Sequence, residues 1–177
     1  MARKKLIVYT IGHSTRTRAA FIKILQEYGI TRVIDVRTIP RSRHNPQFNE
    51  ASLKKALMKK KIAYTHMTLL GGLRHTAADS INTAWQNASF RGFADYMQTA
   101  EFKKGIERLV TYAKHKQVAL MCAEAVPWRC HRSLIGDALL VRGVEVIDIF
   151  SLTSVKPHTL TPWAHVHGTT ITYPAAK

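Results

Sequence analysis

Short, mostly apolar runs alternate along this chain with segments whose apolar residues recur every three or four positions. Leu6 to Ile11, Thr31 to Val36, Ile62 to His66, Val118 to Cys122 and Val144 to Ile149 show the first pattern and predict buried strands. The second predicts helices through Phe21 to Leu25, from about Glu50 to Lys60, from Phe90 to Met97, from Thr99 to His115 and from Pro127 to Arg142. Asn49 suits the N-cap of the helix at Glu50, and Gly143 suits the position just past the last helix. Leu70 to Ser89, with Gly71-Gly72, has no clear period and reads as a functional or mobile loop with some helix. After Ile149 the pattern fades into an irregular tail over residues 150–177, with an edge strand at Thr169 to Tyr173.

Repeated strand–helix–strand units with continuous apolar strands predict an α/β fold. The expected form is a mainly parallel sheet of about five strands flanked by helices. A length of 177 residues suits one layered domain over residues 1–177. Ligands of such sheets bind beyond the carboxyl ends of the strands. Those ends carry His13-Ser14, Arg37 and Cys122-Ala123-Glu124.

Charge adds a partner class. The 27 Lys and Arg against 11 Asp and Glu give +16, an excess that attracts an anionic small molecule or a nucleic acid. No apolar run approaches membrane-spanning length, and Leu6 to Ile11 is too short for a secretory signal. Two cysteines make no disulfide-rich scaffold, so the expectation is a cytoplasmic chain with reduced thiols. Nothing in the pattern fixes a cofactor or an oligomeric state.

Helix starts sharpen the charge argument. Asn49-Glu50 and Thr99 with Glu101 follow the dipole rule, placing acid at the positive end. Ser14 before Arg16 and Arg18, and Pro127 before Arg129, His131 and Arg132, break it. Both exceptions follow strands whose ends should line one cleft, which predicts an anion completing it. The loop from Arg37 to Asn49 adds Arg37, Arg41, Arg43 and Asn45 as donors, with Pro40 and Pro46 restricting its backbone. Expected ligand contacts are therefore Ser14, Arg37, Arg41, Arg43, Asn45, Arg129, Cys130 and Arg132.

Candidate chemistry rests on Cys122, Glu124, His13 and His131. Cys130 in the first turns of a helix beside two arginines is the thiol expected to ionise, with Cys122 more buried. Six residues separate Cys122 from Arg129, one more than a cysteine-phosphatase loop requires. Packing is a competing role for either thiol. No metal is expected, because the spacing matches no zinc site and the neighbours are cationic. Glu124 reads either as an ion-pair partner of Arg129 or Arg37 or as a general base or acid.

Eight segments occur in order with this chemistry. They are Tyr9-Thr10-Ile11-Gly12-His13-Ser14, Val33-Ile34-Asp35-Val36-Arg37, Pro40-Arg41-Ser42-Arg43 and Asn45-Pro46-Gln47-Phe48-Asn49, then Leu70-Gly71-Gly72, Phe93-Ala94-Asp95-Tyr96-Met97, Met121-Cys122-Ala123-Glu124 and Pro127-Trp128-Arg129-Cys130-His131-Arg132. Together they resemble the family called domain of unknown function 488, from about Tyr9 to Ile149. The resemblance implies a single α/β domain and assigns no activity, catalytic residue or cofactor. Two function classes follow from the residues themselves. One is a hydrolase or transferase acting on a phosphorylated or nucleic-acid-derived substrate. The other is a non-catalytic nucleic-acid-binding module.

Overall fold

The computed structural model describes residues 3–177. Eight strands form, at Ile7–Gly12 (β1), Arg32–Asp35 (β2), Ala63–His66 (β3), Val118–Cys122 (β4), Glu145–Ile149 (β5), Val155–Pro157 (β6), His165–His167 (β7) and Thr170–Thr172 (β8). Among the described residues five α-helices lie at Arg18–Glu27 (α1), Glu50–Lys59 (α2), Ala88–Tyr96 (α3), Ala100–His115 (α4) and Arg132–Leu140 (α5). The main sheet has six strands in the order β3-β2-β4-β1-β5-β6. It is parallel except for β6, which adds antiparallel to β5. The predicted α/β class and mainly parallel sheet are thus present, with one strand more than the expected five. The edge strand expected at Thr169 to Tyr173 is β8, which pairs with β7 in a separate ribbon.

Strand periodicity sorts the core into two layers. On one face Ile11, Val33, Ala119 and Met121 pack against Phe21 and Leu25 of α1 and Leu53 and Leu57 of α2. On the other, Val8, Ile34, Leu120 and Cys122 meet Phe93, Ile106, Leu109, Leu134 and Ala138 from α3, α4 and α5. Thr99 caps α4 through its hydroxyl, and Glu101 occupies the first turn, as the dipole rule requires. Asn49 occupies the N-cap of α2 but makes no cap hydrogen bond. Its carboxamide oxygen instead accepts the Ser42 amide and pins the preceding loop.

The region after β4 departs from expectation. Residues Pro127–Arg129 form a separate 3-10 turn, and α5 begins only at Arg132. Cys130 between them is extended (φ −139°, ψ 146°), which breaks the continuous helix expected from Pro127.

Strand order decides where an opening can form. The chain leaves β1 toward β2, passing the place β4 takes, and leaves β4 toward β5 on the far side of β1. These two exits cross instead of diverging, so they press together. His13 N–H donates to the Cys122 carbonyl and Ser14 N–H to that of Ala123, at 2.9 and 3.0 Å. A Cβ on Gly12 would lie 1.7 Å from the Glu124 carbonyl oxygen. Exits from β2 toward β3 and from β4 toward β5 do diverge, and open sheets hold their ligand crevices at such points.

The segment after β6 is tied back by aromatic contacts. Trp163 meets Trp85 edge-on, and Trp85 stacks on Phe90 and packs against Tyr173. Gly12→Ala is expected to destabilise the fold by about 3 kcal/mol or more, because both contacting groups are backbone. A urea midpoint equal to that of the parent would refute this close packing.

Candidate active site

Alternation along β4 turns Val118, Leu120 and Cys122 toward the layer containing α4 and α5. The turn Pro127–Arg129 then returns the chain so that Cys130 faces Cys122, with the sulfurs 2.8 Å apart. Arg132, in the first turn of α5, is 1% exposed and sits beneath them. Its Nε donates to Cys122 Sγ at 3.0 Å, its Nη2 to the Glu124 carbonyl at 2.8 Å and its Nη1 to Thr10 Oγ1 at 3.0 Å. No carboxylate oxygen lies within 4.0 Å of this guanidinium among the described residues. A buried guanidinium needs an anion, and the group placed to supply it is the Cys122 sulfur.

Burial opposes ionisation of Cys122, yet the Cys130 S–H and the charge and hydrogen bond of Arg132 bring its pKa down to about 7. Cys130 is held well above the ordinary thiol value by burial and by the Cys122 charge it faces. The expected assignment is therefore reversed. Cys130 is not in a helical turn, and it is Cys122 that receives the Arg132 guanidinium.

His131 is lowered to about 4, chiefly by burial. Its Nε2 lies 3.0 Å from the Val36 carbonyl and 2.9 Å from that of Leu70, so this nitrogen carries the proton and bridges the ends of two segments. Nδ1 faces Cys130 Sγ at 3.6 Å, and a Cβ on Gly72 would come within 2.5 Å of Nδ1. Gly72 is thus the residue that lets the following loop cross the ring.

Behind Arg132 runs a row of alternating charges. The Thr10 hydroxyl, which accepts from Arg132, donates to Asp148 Oδ1 at 2.5 Å. His158 lies between Asp148 and Asp137, with Nδ1 3.5 Å from the first and Nε2 2.9 Å from the second. Burial would lower its pKa, but hydrogen bonds and charge from both carboxylates push it up to about 9. Tyr173 O–H donates to Asp137 Oδ2 at 2.8 Å and closes the row.

A cleft of about 240 Å³ opens between the exits of β2 and β4. Cys122, Ala123, Glu124, Arg129, Cys130 and His131 form one wall, and Arg37, Thr38, Gly72, Leu73, Ser89 and Phe90 the other. Arg37 is buried and committed to Asp35, with Nη2–Oδ2 at 2.7 Å. Its Nη2 also donates to the Phe48 carbonyl, and Asp35 further accepts from Tyr64 O–H. His13 stacks on Phe48 and lies behind Arg37, with Nδ1 2.8 Å from the Ser14 carbonyl and Nε2 3.4 Å from Arg37 Nη1. Burial, and then the Arg37 charge, lower its pKa.

Ser14, Arg41, Arg43 and Asn45 do not line this cleft. Arg41 and Arg43 are exposed, while the Asn45 amide donates to Ser42 Oγ. The two unusual helix starts do not share an opening either. Arg16 donates to the Gly12 and Phe150 carbonyls, and the Gly12–Glu124 contact fills the space between the strand ends. Glu124 is exposed at the rim and pairs with neither Arg129 nor Arg37 within 4.0 Å. Thr10, Asp148 and His158 belong to this site although no catalytic or binding motif in the sequence marks them. For Thr10 and Asp148 the available signal is a hydroxyl or an acid inside an otherwise apolar strand, while His158, a base just after β6, carries no such mark.

A family model described as Domain of unknown function DUF488 matches residues 17–139. The chain belongs to that family. The match is narrower at both ends than the Tyr9 to Ile149 span of shared motifs. No curated protein and no solved structure matches the chain.

Ultraviolet thiolate absorbance should reveal one thiolate appearing through about pH 7, and Cys130→Ala should shift that midpoint upward by removing the S–H donor. A single transition near the ordinary thiol value would refute the pairing. Stability should report the same groups. His158, raised in the folded state, contributes stability that is full below pH 6.5 and lost as pH rises through about 9. Cys122, lowered, contributes stability present above about pH 9 and lost as pH falls through about 7. Between pH 7 and 9 the slopes oppose, so Cys122→Ser should expose a decline in denaturation midpoint that the parent lacks. Parallel profiles for the two proteins would contradict this.

Proposed function

We propose that the chain is an enzyme that uses the Cys122 thiolate as a nucleophile on an anionic substrate, a phosphorylated or nucleic-acid-derived compound, in transfer or hydrolysis. The observation carrying this reading is the buried Arg132 guanidinium directed at Cys122 Sγ, at a sulfur that lines an open cleft. A thiol kept only for packing needs no cation beneath it.

Arg129, exposed at the cleft wall, supplies the uncommitted guanidinium for the substrate anion. The amides of Ala123, Glu124, Ala125 and Val126 donate to no protein acceptor among the described residues, which adds donors along the same loop. Glu124 is the acidic side chain among the lining residues and takes the proton-transfer role at the leaving oxygen. Arg37 contributes by position: its pairing with Asp35 fixes the opposite wall. His131, neutral and held by two carbonyls, aligns the Cys130 segment.

A second reading is supported by exposed Arg41, Arg43 and His44, together with Lys54, Lys55 and Lys59 along α2. These suit a nucleic-acid backbone. That surface would act without chemistry, and its binding would weaken steeply with salt.

Inorganic phosphate separates the two. In the first reading it slows alkylation of Cys122 in a saturable way, and Arg129→Ala raises the phosphate needed roughly tenfold. Alkylation indifferent to phosphate, combined with salt-sensitive nucleic-acid binding lost in Arg41→Glu/Arg43→Glu, would replace the first reading by the second.

A further inference from the structure

Cys130 forms no covalent bond in the reaction described so far, yet its sulfur lies 2.8 Å from Cys122. A covalent S–S bond is roughly 2.05 Å long, so closing it needs a shift of less than about 1 Å. We propose that Cys122 and Cys130 form a dithiol couple that exchanges with small disulfides, Cys122 attacking first and Cys130 resolving. This rests on the Cys122 thiolate of the preceding reading but not on its phosphate-bearing substrate.

The steps balance. The Cys122 thiolate attacks one sulfur of RS–SR, forming Cys122–S–SR and releasing RS⁻. Cys130 then attacks the Cys122 sulfur, a Cys122–Cys130 bond forms, and a second RS⁻ leaves with the proton that Cys130 gives up. Two electrons pass from the protein thiols to the disulfide, which departs as two thiols.

The surroundings favour this order. While Cys122 carries its charge, Cys130 is kept protonated by burial and by that charge. The first step removes the negative neighbour. What then remains beside Cys130 is the Arg132 guanidinium and the Arg132 backbone amide, whose nitrogen lies 3.4 Å from Cys130 Sγ. Both favour a Cys130 thiolate, so one buried cation serves the two sulfurs in succession. His131 Nδ1, 3.6 Å from Cys130 Sγ, offers that S–H a hydrogen-bond acceptor while staying neutral, and the proton departs with the second thiol.

Arg132 also sets the direction in which the couple is poised. In the dithiol form the guanidinium has an anionic sulfur beside it. In the disulfide form it keeps only Thr10 Oγ1 and the Glu124 carbonyl as direct partners, with Asp148 one hydrogen bond further away. Loss of that partner favours reduction, so the bond is readily reversed by excess thiol.

The test uses the full chain in glutathione buffers near neutral pH, quenched by acid and alkylation and read by intact mass. Oxidised glutathione should convert the parent to a form lighter by two hydrogens with no glutathione retained, and reduced glutathione should restore it. Cys130→Ser should stop at one glutathione adduct on Cys122. Tryptic cleavage after Arg129 separates the two cysteines, so residues 117–129 linked to 130–132 identify the bond in the parent without any variant. A parent that retains a stable Cys122 adduct, or acquires one on each cysteine, would overturn the resolving role while leaving the thiolate intact. A parent unreactive at Cys122 would overturn both, and an internal bond that resists reduced glutathione would overturn the poise assigned to Arg132.

Discussion

A buried guanidinium that has a sulfur where a carboxylate would be expected governs the architecture of this site. Arg132 is among the largest fully buried side chains in the protein, and removing its charge from water is costly unless something negative meets it. The geometry meets that requirement twice. Cys122 Sγ contacts Nε directly, and Asp148 reaches Nη1 through the Thr10 hydroxyl. Each contact recruits a different element, β4 for the sulfur and β1 and β5 for the hydroxyl and carboxylate. The centre of the parallel sheet is therefore organised around one cation as well as around its apolar layers.

Sheet topology determines which side of that cation is open. Because β4 sits between β2 and β1, its exit packs onto the exit of β1, and the opening falls between β4 and β2. The cysteine loop consequently forms a wall of the cleft instead of its floor. The opposite wall is held by the Arg37–Asp35 pair and by Gly72 crossing His131. Rigidity in both walls comes from buried polar contacts, and the charged groups left exposed at the rim, Glu124 and Arg129, are those proposed to meet a substrate.

Much of this was legible in the sequence, and what was missed has physical reasons. Apolar runs locate β1, β2, β4 and β5 because each buries residues on one or both faces, and β3, half-buried along its length, is marked by buried Ile62 and Met67 on either side. Short β6 and β7 are exposed along their length and carry no such signal. The break before α5 is not legible because Pro127 is as suited to a 3-10 turn as to a helix start, and the extended Cys130 leaves no mark in composition. Cys122 and Arg37 lie at strand ends and Arg132 at a helix start, as their places in the sequence imply, but charge alone cannot say which arginine faces outward. Arg37 and Arg132 have internal partners, while Arg129 is exposed. That distinction depends on Asp35, Thr10 and Asp148, whose pairing is between strands and hence long-range.

The row from Cys122 through Arg132, Thr10, Asp148, His158 and Asp137 to Tyr173 has a consequence for how this sequence can drift. Its charges alternate in sign, so losing an interior charge leaves two like charges as neighbours. Losing His158 alone would set Asp148 and Asp137 against each other without a cation between them. Losing the outermost carboxylate with its tyrosine would leave the remaining signs still alternating. Divergence along the row is therefore easiest at its ends, while the interior charges of Arg132, Asp148 and His158 can be lost only together with a neighbour of opposite sign.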